Sequence, residues 1–414
     1  MHPTRPPLDL TAAEVQSLQD GAVTRWSELD AGAGALRTGT PAEVRADRDV
    51  VAVVPASEVA PPLTVATVDG VDPLREPTAY AVTTEGPEPP AVTTVTITGD
   101  VMLGRRVGDH LAQVGDPTAA LRPMSRRLAG ADLTIGNLES TLSQAGAPRQ
   151  GGDSFAASPA VRSGLQLAGY DVLSLANNHT GDFGLRALVE TVRRVRAGGF
   201  VSVGAGIDLA RASRPAIVER NGVRFGVVAF DAIGETPAAT PSGPGALRVR
   251  MDPRTGPLVR ADLDRVTELV RSLRSRVDVV LVLPHWGTQY THRTVRDQRL
   301  VARALTQAGA AVVIGGHPHW VQGMESVDDA LIAYSLGNFV FDMLPVGGVY
   351  TRETQEGAVL ELTFWGSTLK AARLVPVVTG ADFAPRVAPG PRGREILDDV
   401  WDASGAPLQG THAR

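Results

Sequence analysis

The chain has 414 residues, of which 43% are hydrophobic and 21% charged, a composition typical of a folded soluble protein. Its formal net charge is −5 and its basic residues are scattered, which argues against a nucleic-acid partner. The absence of cysteine excludes disulfides, thiolate metal sites and thiol nucleophiles. Lys370 is the single lysine, so Schiff-base chemistry and a Walker-type phosphate loop have no plausible residue.

Residues 1–82 form a first segment, in which Thr11 and Glu14 have capping-box spacing ahead of a short predicted helix. The stretches LQDGAVTRWSEL and GVDPLREPTAY resemble part of one lobe of the extracellular solute-binding proteins of the phosphate-binding kind. The resemblance implies a small, partial α/β lobe. So short a segment can hardly hold a ligand between two lobes. We expect this segment to be a remnant of such a lobe, or the chain to begin inside a longer protein whose export signal lies upstream. The segment is either a capping subdomain without a ligand or a working ligand site.

The start of the chain, MHPTRPPLDLTAAEVQ, lacks the plan of a signal peptide, and no apolar run is long enough to span a bilayer. Residues 83–94, rich in proline and small polar residues, are predicted to be a linker. The main domain is predicted at 95–380. Residues 381–414 are predicted to be a loosely packed tail, with REILDDVWDA as the one candidate for order.

From residue 95 onward, short apolar runs typical of strands alternate with stretches of helical period. The predicted strands are 94–99, 131–138, 170–177, 277–285 and 310–317, and the predicted helices include 183–197, 257–276 and 294–308. Asn221-Gly222 between two β-rich runs predicts a hairpin that adds antiparallel strands. This order predicts an α/β fold whose sheet is covered on both faces.

Polar residues follow each of the five predicted strands at the point where it ends. In an open α/β sheet these ends share one edge, where ligands bind. We therefore expect one rim to collect the following residues: Asp100, Glu139, Asn177, Asn178, His179, His285, His317 and His319. The other four histidines are predicted to lie at the surface: His2, His110, His292 and His412.

Imidazole, carboxylate and carboxamide without thiolate suit Zn, Mn or Fe, so this set predicts one or two divalent cations. The motif GGHPH carries two imidazoles on a turn. Pro318 is expected to fix the bend between them, while Gly315 and Gly316 allow close approach of the backbone. Two cations on such a rim would act on a phosphate-type centre.

Six motifs in this order resemble the CapA family of poly-γ-glutamate capsule synthesis proteins: ITGDVMLGR, GNLESTL, LANNHTGDFG, LPHWGTQY, GGHPHWVQGME and AYSLGNFVFD. That family belongs to the calcineurin-like metallophosphoesterase superfamily. The resemblance covers roughly residues 95–345. It implies a layered α/β/β/α fold with central mixed sheets, a place at the cell envelope or outside the cell, and as partners an anionic polymer or phosphoester and other capsule-synthesis proteins.

The resemblance also implies roles for single residues. One metal would be held by Asp100 and His319, the second by Asn178, His285 and His317, and Glu139 would bridge them. His179 would face the substrate as general acid or as a donor to a phosphate oxygen, held by Asp182, and Arg105 would neutralise developing charge. Asn338 either shapes the site or is a turn residue. Trp286, Tyr290 and Trp320 either line a groove or pack beneath a loop.

The chain departs from the wider superfamily at two positions. Asp100-Val101-Met102 replaces the usual Asp-x-His, and Glu139 replaces a bridging aspartate. Three functions remain open. The first is a metal-dependent hydrolase that acts on a phosphoester or a γ-glutamyl polymer. The second is a non-catalytic assembly factor that binds an anionic polymer, and the third is a solute-binding module with the large domain as its scaffold.

Overall fold

The computed structural model describes residues 1–80, 90–345 and 350–404. Most of the predicted linker therefore lies outside the described residues, as does His412. Among the helices of the described ranges, none combines the length and apolar character that crossing a bilayer requires.

The N-terminal segment is a small unit of short strands and helices. Its elements are β1 (Asp9–Leu10), α1 (Ala12–Gln19), β2 (Arg37–Thr38), α2 (Pro41–Ala46), β3 (Val50–Val51) and β4 (Thr67–Val68). The predicted capping box is present, since the Thr11 hydroxyl accepts the N–H of Glu14 and the Glu14 carboxylate accepts the N–H of Thr11.

The N-terminal segment packs on the rest of the chain. Its apolar cluster around Val44 and Leu74 includes Ala371 of the main domain, and the Lys370 ammonium donates to the Ser57 carbonyl. His2, predicted to be at the surface, is instead fully buried, with its ring 4.8 Å from that of Trp401. The prediction was wrong because the chain start packs inward, where the Met1 amino group donates to the Thr64 carbonyl.

The main domain contains two mixed sheets. In chain order its strands are β5 (Val92–Val101), β6 (Leu133–Leu138), β7 (Val172–Ser174), β8 (Val201–Val203), β9 (Ala205–Gly206), β10 (Ala216–Arg220), β11 (Val223–Asp231), β12 (Gly245–Ala246), β13 (Val279–His285), β14 (Val312–Ile314), β15 (Met324–Val327), β16 (Ala330–Ala333), β17 (Asn338–Val340), β18 (Glu356–Trp365), β19 (Thr368–Thr379) and β20 (Pro385–Val387). The first sheet has the order β20-β19-β18-β5-β6-β7-β8 with β17 beside β5, and the second β10-β11-β13-β14-β16-β15.

The helices form the outer layers. They are α3 (Arg105–Val114), α4 (Arg122–Leu128), α5 (Arg162–Leu167), α6 (Gly184–Ala197), α7 (Leu209–Ala212), α8 (Arg260–Arg274), α9 (Arg296–Gln307) and α10 (Gly390–Ala403). Helices α3 to α6 cover the first sheet, whereas α8 and α9 cover the second. Alternate residues of the strands, such as Ile97, Ile135, Phe225 and Leu281, meet between the sheets. This confirms the predicted layered α/β/β/α fold with central mixed sheets.

Two details of the predicted architecture need correction. The five predicted strands do not share one sheet, because β5, β6 and β7 belong to the first and β13 and β14 to the second. In the segment from 381, order extends beyond REILDDVWDA, the stretch named as a candidate for order. Strand β20 pairs with β19, and Ile396, Leu397 and Val400 of α10 are buried against the core between the sheets. Helix α10 packs on the core through an apolar stripe, although the sequence beside it is rich in proline and glycine.

Candidate metal centre

The sequence-predicted residues converge where strands of both sheets end. Asp100 lies near the end of β5, Glu139 directly follows β6, and Asn178 and His179 lie in the loop after β7. From the second sheet, His285 ends β13, while His317 and His319 lie in the loop after β14. All seven of these residues are between 0 and 4% exposed. The site is therefore a buried junction between two packed sheets.

Two groups of side chains could each hold a metal ion. The first consists of Glu139, His285 and His317, and the second of Asp100, Glu139 and His319. Within each group the potential ligand atoms lie within 4.8 Å of one another. The groups share Glu139, so the carboxylate that the resemblance assigns as a bridge lies between the two sets.

Glu139 is the most unusual member of the site. It is fully buried, and neither carboxylate oxygen has a hydrogen-bond partner in the described part of the chain. Burial raises the pKa of this carboxyl well above its ordinary value, and the charges of Asp100 and Asp182 raise it further. Since a buried carboxylate without a partner is costly, it commonly pairs with or coordinates a cation. Its free oxygens therefore fit a divalent ion.

The imidazoles are suited to the same ion. Burial lowers the pKa of His285 and of His317 well below the ordinary value, and lowers the pKa of His319 to about 3. Neutral imidazole is the form that coordinates metals. Both ring nitrogens of His317 lack a hydrogen-bond partner among the described residues. The donor set thus fits Zn, Mn or Fe.

Asn338 orients the third imidazole. Its Nδ2 donates to the Thr354 carbonyl, so its Oδ1 faces Nδ1 of His319 at 2.9 Å. The proton of His319 then lies on Nδ1, and the lone pair on Nε2 remains free. Of the two interpretations of Asn338, this contact favours a part in shaping the site.

The GGHPH loop reaches the site through strained backbone. His317 and His319 have positive φ values of 94° and 59°, which non-glycine residues rarely adopt. A Cβ on Gly316 would lie 2.5 Å from Oδ1 of Asp100 and 3.3 Å from Nδ1 of His285. A Cβ on Gly315 would collide with the Tyr334 carbonyl oxygen. These glycines therefore permit the close approach that the sequence predicts.

Asn137, which the sequence reasoning missed, connects the two sheets. Its amide donates to Oδ1 of Asp100 at 2.9 Å and lies 3.3 Å from Nδ1 of His285. Oδ1 of Asn178 lies 2.9 Å from Nε2 of the same His285, so Asn178 is beside the first donor group. Asn137 lies within β6 rather than after it, and its only signal is a polar residue in a buried strand.

His179 is held by Asp182 through its Nδ1 atom. Its Nδ1 lies 2.9 Å from Oδ2 of Asp182, and its ring stacks on Phe155 with centroids 3.6 Å apart. Because the carboxylate accepts the Nδ1 proton, Nε2 is directed towards the centre, where it lies 3.8 Å from Oε1 of Glu139. Asp182 is itself held by the Gln150 amide and the Phe155 N–H, each at 2.6 Å.

Arg105 lies beside the site, but carboxylates already hold it. Its guanidinium pairs with the buried Asp342 and, at 2.9 Å, with the exposed Asp153, and it lies 4.4 Å above the Phe155 ring. Charge neutralisation by Arg105 therefore has to compete with two existing ion pairs.

The sequence reasoning also missed Asp231, at the end of β11 and paired in register with His285. It is fully buried and forms a 2.9 Å ion pair with Arg248. Among the aromatic residues, Trp286 is buried and donates to the Tyr334 carbonyl, which is packing beneath a loop. Tyr290 is 40% exposed, with its ring centroid 5.9 Å from that of His319.

Fold and site together define a layered α/β protein with a buried carboxylate and imidazole centre between two mixed sheets. A family model described as bacterial capsule synthesis protein PGA_cap matches residues 94–343, which is more than half of the chain. The chain therefore belongs to this capsule synthesis family, as the CapA resemblance predicts.

Curated relatives carry related descriptions. The chain is 31% identical over 254 residues to a capsule biosynthesis protein CapA of Bacillus anthracis, covering 60% of each protein. It is 29% identical to a PGA biosynthesis protein CapA of Bacillus subtilis (strain 168), covering 64% of this chain and 66% of the relative. A probable polyglutamine synthesis accessory protein of Mycobacterium tuberculosis is 30% identical, with 63% and 77% covered. The chain thus spans less than two thirds of the length of the two Bacillus relatives.

Solved structures with a detectable likeness include two nucleotidases. A putative 5'-nucleotidase from Staphylococcus aureus has a TM-score of 0.40 at 13% identity, covering 75% of this chain and 59% of that one. A 5'-nucleotidase from Candida albicans has a TM-score of 0.38 at 13% identity, covering 74% and 57%. Likeness at this level supports no argument about activity.

Proposed function

We propose that this protein is a metal-dependent hydrolase of the CapA type that acts in the synthesis or processing of a capsule or poly-γ-glutamate polymer at the cell envelope. The observation that carries the proposal is the buried carboxylate of Glu139, which has no hydrogen-bond partner among the described residues and is shared by two groups of metal-type donors. The substrate is proposed to be an anionic polymer, consistent with the names of the relatives, or a phosphoester.

In this proposal Asp100 and His319 would hold one ion and Asn178, His285 and His317 would hold a second, with Glu139 shared by the two sets. When bound, such ions polarise a phosphoryl or carbonyl oxygen and make water a nucleophile near neutral pH. The chain supplies the proton transfer. With its Nδ1 proton held by Asp182, His179 in its imidazolium form can donate the Nε2 proton to the leaving group or a substrate oxygen, which leaves a neutral imidazole.

The second candidate is a non-catalytic assembly factor that binds an anionic polymer. Two observations favour it. Met102 is fully buried where the wider superfamily has a histidine, so one donor group has a single imidazole. Arg105 is also engaged by Asp342 and Asp153 rather than free for a substrate.

The test combines elemental analysis of the purified protein with assays on a phosphomonoester, a phosphodiester and poly-γ-glutamate. Wild type is compared with His179→Ala, which removes the proposed proton donor, and with Asp182→Asn, which leaves the imidazole but removes the charge that holds it. We expect bound metal in all three. Turnover should fall by about 10²–10⁴-fold in His179→Ala and by about 10–100-fold in Asp182→Asn.

Metal binding with no turnover on any of these substrates, together with retained polymer binding, would replace the hydrolase with the assembly factor. Absence of bound metal after incubation with Zn, Mn and Fe at neutral pH would contradict both candidates.

A further inference from the structure

A cavity outside the metal centre is lined by arginine side chains. It has a volume of about 250 Å³ and lies where α6 meets the chain around β9 and α7. Its lining consists of four arginines and a small apolar surface: Arg193, Arg196, Arg211 and Arg214, with Val189, Val192, Gly206 and Ile207. Arg193 and Arg196 lie roughly 13 and 18 Å along the helix axis from Gly184, where α6 begins beside the metal centre.

The arginines of this cavity are only partly neutralised. Asp208 pairs with Arg211 at 2.9 Å, and Nε of Arg196 donates to the Ser202 hydroxyl. The side chains of Arg193 and Arg214 make no hydrogen bond or ion pair with any described residue. Four guanidinium groups with one carboxylate produce a local positive charge on a chain whose net charge is −5. Such a concave positive surface attracts anions.

The apolar part of the lining indicates which kind of anion would fit the cavity. Ile207 is 47% exposed and lies among the arginines with Val189 and Val192. Guanidinium groups bind carboxylates in a planar, two-bond geometry. An anion with aliphatic spacers between its carboxylates would satisfy both parts of the lining, whereas polyphosphate has no apolar group to place against Ile207.

We propose that this arginine-lined cavity is a separate binding site for a short stretch of a carboxylate-bearing polymer such as poly-glutamate. The choice of polymer rests on the proposed function, whereas binding at this cavity needs neither a metal nor turnover. The volume lies just below the roughly 300–1,000 Å³ of pockets for drug-sized ligands, so it suits a few monomer units at a time. The cavity would hold the polymer while the metal centre, at the opposite end of α6, remains free.

The test is fluorescence polarisation with labelled poly-γ-glutamate, in chelator, so that binding to the metal centre does not contribute. The cavity variant is Arg193→Gln with Arg214→Gln. The matched control is Arg126→Gln with Arg299→Gln, two exposed arginines elsewhere that form no ion pair in the described chain. We expect the cavity variant to weaken binding about tenfold or more, because each lost guanidinium removes a charge-assisted contact, and the control to change it by less than about twofold.

Ile207→Ser provides a second readout. It should weaken binding of poly-γ-glutamate but leave any binding of polyphosphate unchanged. The proposal is overturned if the cavity and control variants weaken binding equally, or if polyphosphate or RNA binds more tightly than poly-γ-glutamate at the same ionic strength. His317→Ala separates the two sites. If this variant loses turnover but still binds the polymer, the cavity is a site distinct from the hydrolase centre. If polymer binding is lost in His317→Ala and not in the cavity variant, the proposal is overturned.

Discussion

The backbone N–H of His317 donates a hydrogen bond to Oδ2 of Asp100 at 2.9 Å, and this bond joins the ends of strands from different sheets. The other oxygen of Asp100 accepts the Asn137 amide at 2.9 Å. Asp100 therefore has a structural part beside its proposed role as a ligand, since it holds the GGHPH loop against the first sheet.

Replacing Asp100 should affect both the stability of the fold and the binding of metal. Asp100→Ala leaves two buried donors unpaired, so we expect the free energy of unfolding to fall by about 1–3 kcal/mol and the bound metal to be lost. Urea denaturation and elemental analysis measure these effects. The control is Asp153→Ala, whose carboxylate is 74% exposed and should contribute less than about 0.5 kcal/mol. Unchanged metal content in Asp100→Ala would contradict the assignment of this carboxylate as a ligand.

A divalent metal should stabilise the protein through Glu139. At about 100 times its dissociation constant, a ligand contributes about 2.7 kcal/mol, which should raise Tm by about 3–8 °C relative to the chelated protein. Glu139→Gln should abolish most of this rise. In Glu361→Gln the rise should persist, since that buried carboxylate pairs with Arg75 and Arg127 away from the centre. Calorimetry with and without chelator tests this, and an equal rise in all three proteins would refute it.

Gly316→Ala should disturb the centre through a single methyl group. The new Cβ would lie 2.5 Å from Oδ1 of Asp100, so the carboxylate has to move. We expect a loss of about 1–3 kcal/mol and at least a tenfold weaker affinity for metal, on the order expected when ligand orientation is disturbed. Gly152→Ala is the control, because its Cβ would meet no atom within 4 Å. Isothermal titration with Zn or Mn distinguishes them, and equal affinities would show that Asp100 is not a ligand.

The pH dependence of stability has a contribution from Glu356, at the start of β18. Burial raises its pKa to about 7, against the opposing charge of Arg392, which lies 2.7 Å away. A carboxyl whose pKa is higher in the folded than in the unfolded state binds more protons when folded. Its contribution therefore favours folding at low pH and is lost as the pH rises from about 4.5 through about 7.

The corresponding variant is Glu356→Gln, which stays uncharged at every pH while Arg392 retains Glu395 at 3.4 Å. Relative to wild type, its free energy of unfolding should rise by about 1–2 kcal/mol between pH 5 and pH 8. Urea denaturation at the two pH values measures this difference. A difference that stays constant or falls with pH would show that the Glu356 carboxyl is not held in its neutral form.

Much of the fold could be predicted from local pattern. The run VDVVLVLPH predicts a strand over 277–285, and the structure has β13 at Val279–His285, buried on both faces. The Asn221-Gly222 turn predicts the hairpin of β10 and β11, which the structure contains. Such elements follow from apolar period and turn chemistry over a few neighbouring residues.

The sequence also predicted the candidate donor residues that the structure brings together, because polar side chains that interrupt apolar strands at their ends are conspicuous in the order of residues. It did not identify the partners that hold them. Asp342 pairs with Arg105 from 237 residues away, and Asn137 joins the sheets from inside a strand, where it resembles any buried polar residue.

The sequence by itself determined the alternation of strands and helices and the choice of imidazole and carboxylate, since these depend on period and composition over short distances. Only the tertiary structure decided that strands of the same appearance divide between two sheets, and that Glu139 has no hydrogen-bond partner among the described residues where those sheets meet. The physical reason is that strand signals report burial, whereas the choice of neighbouring strand depends on contacts between residues far apart in the chain.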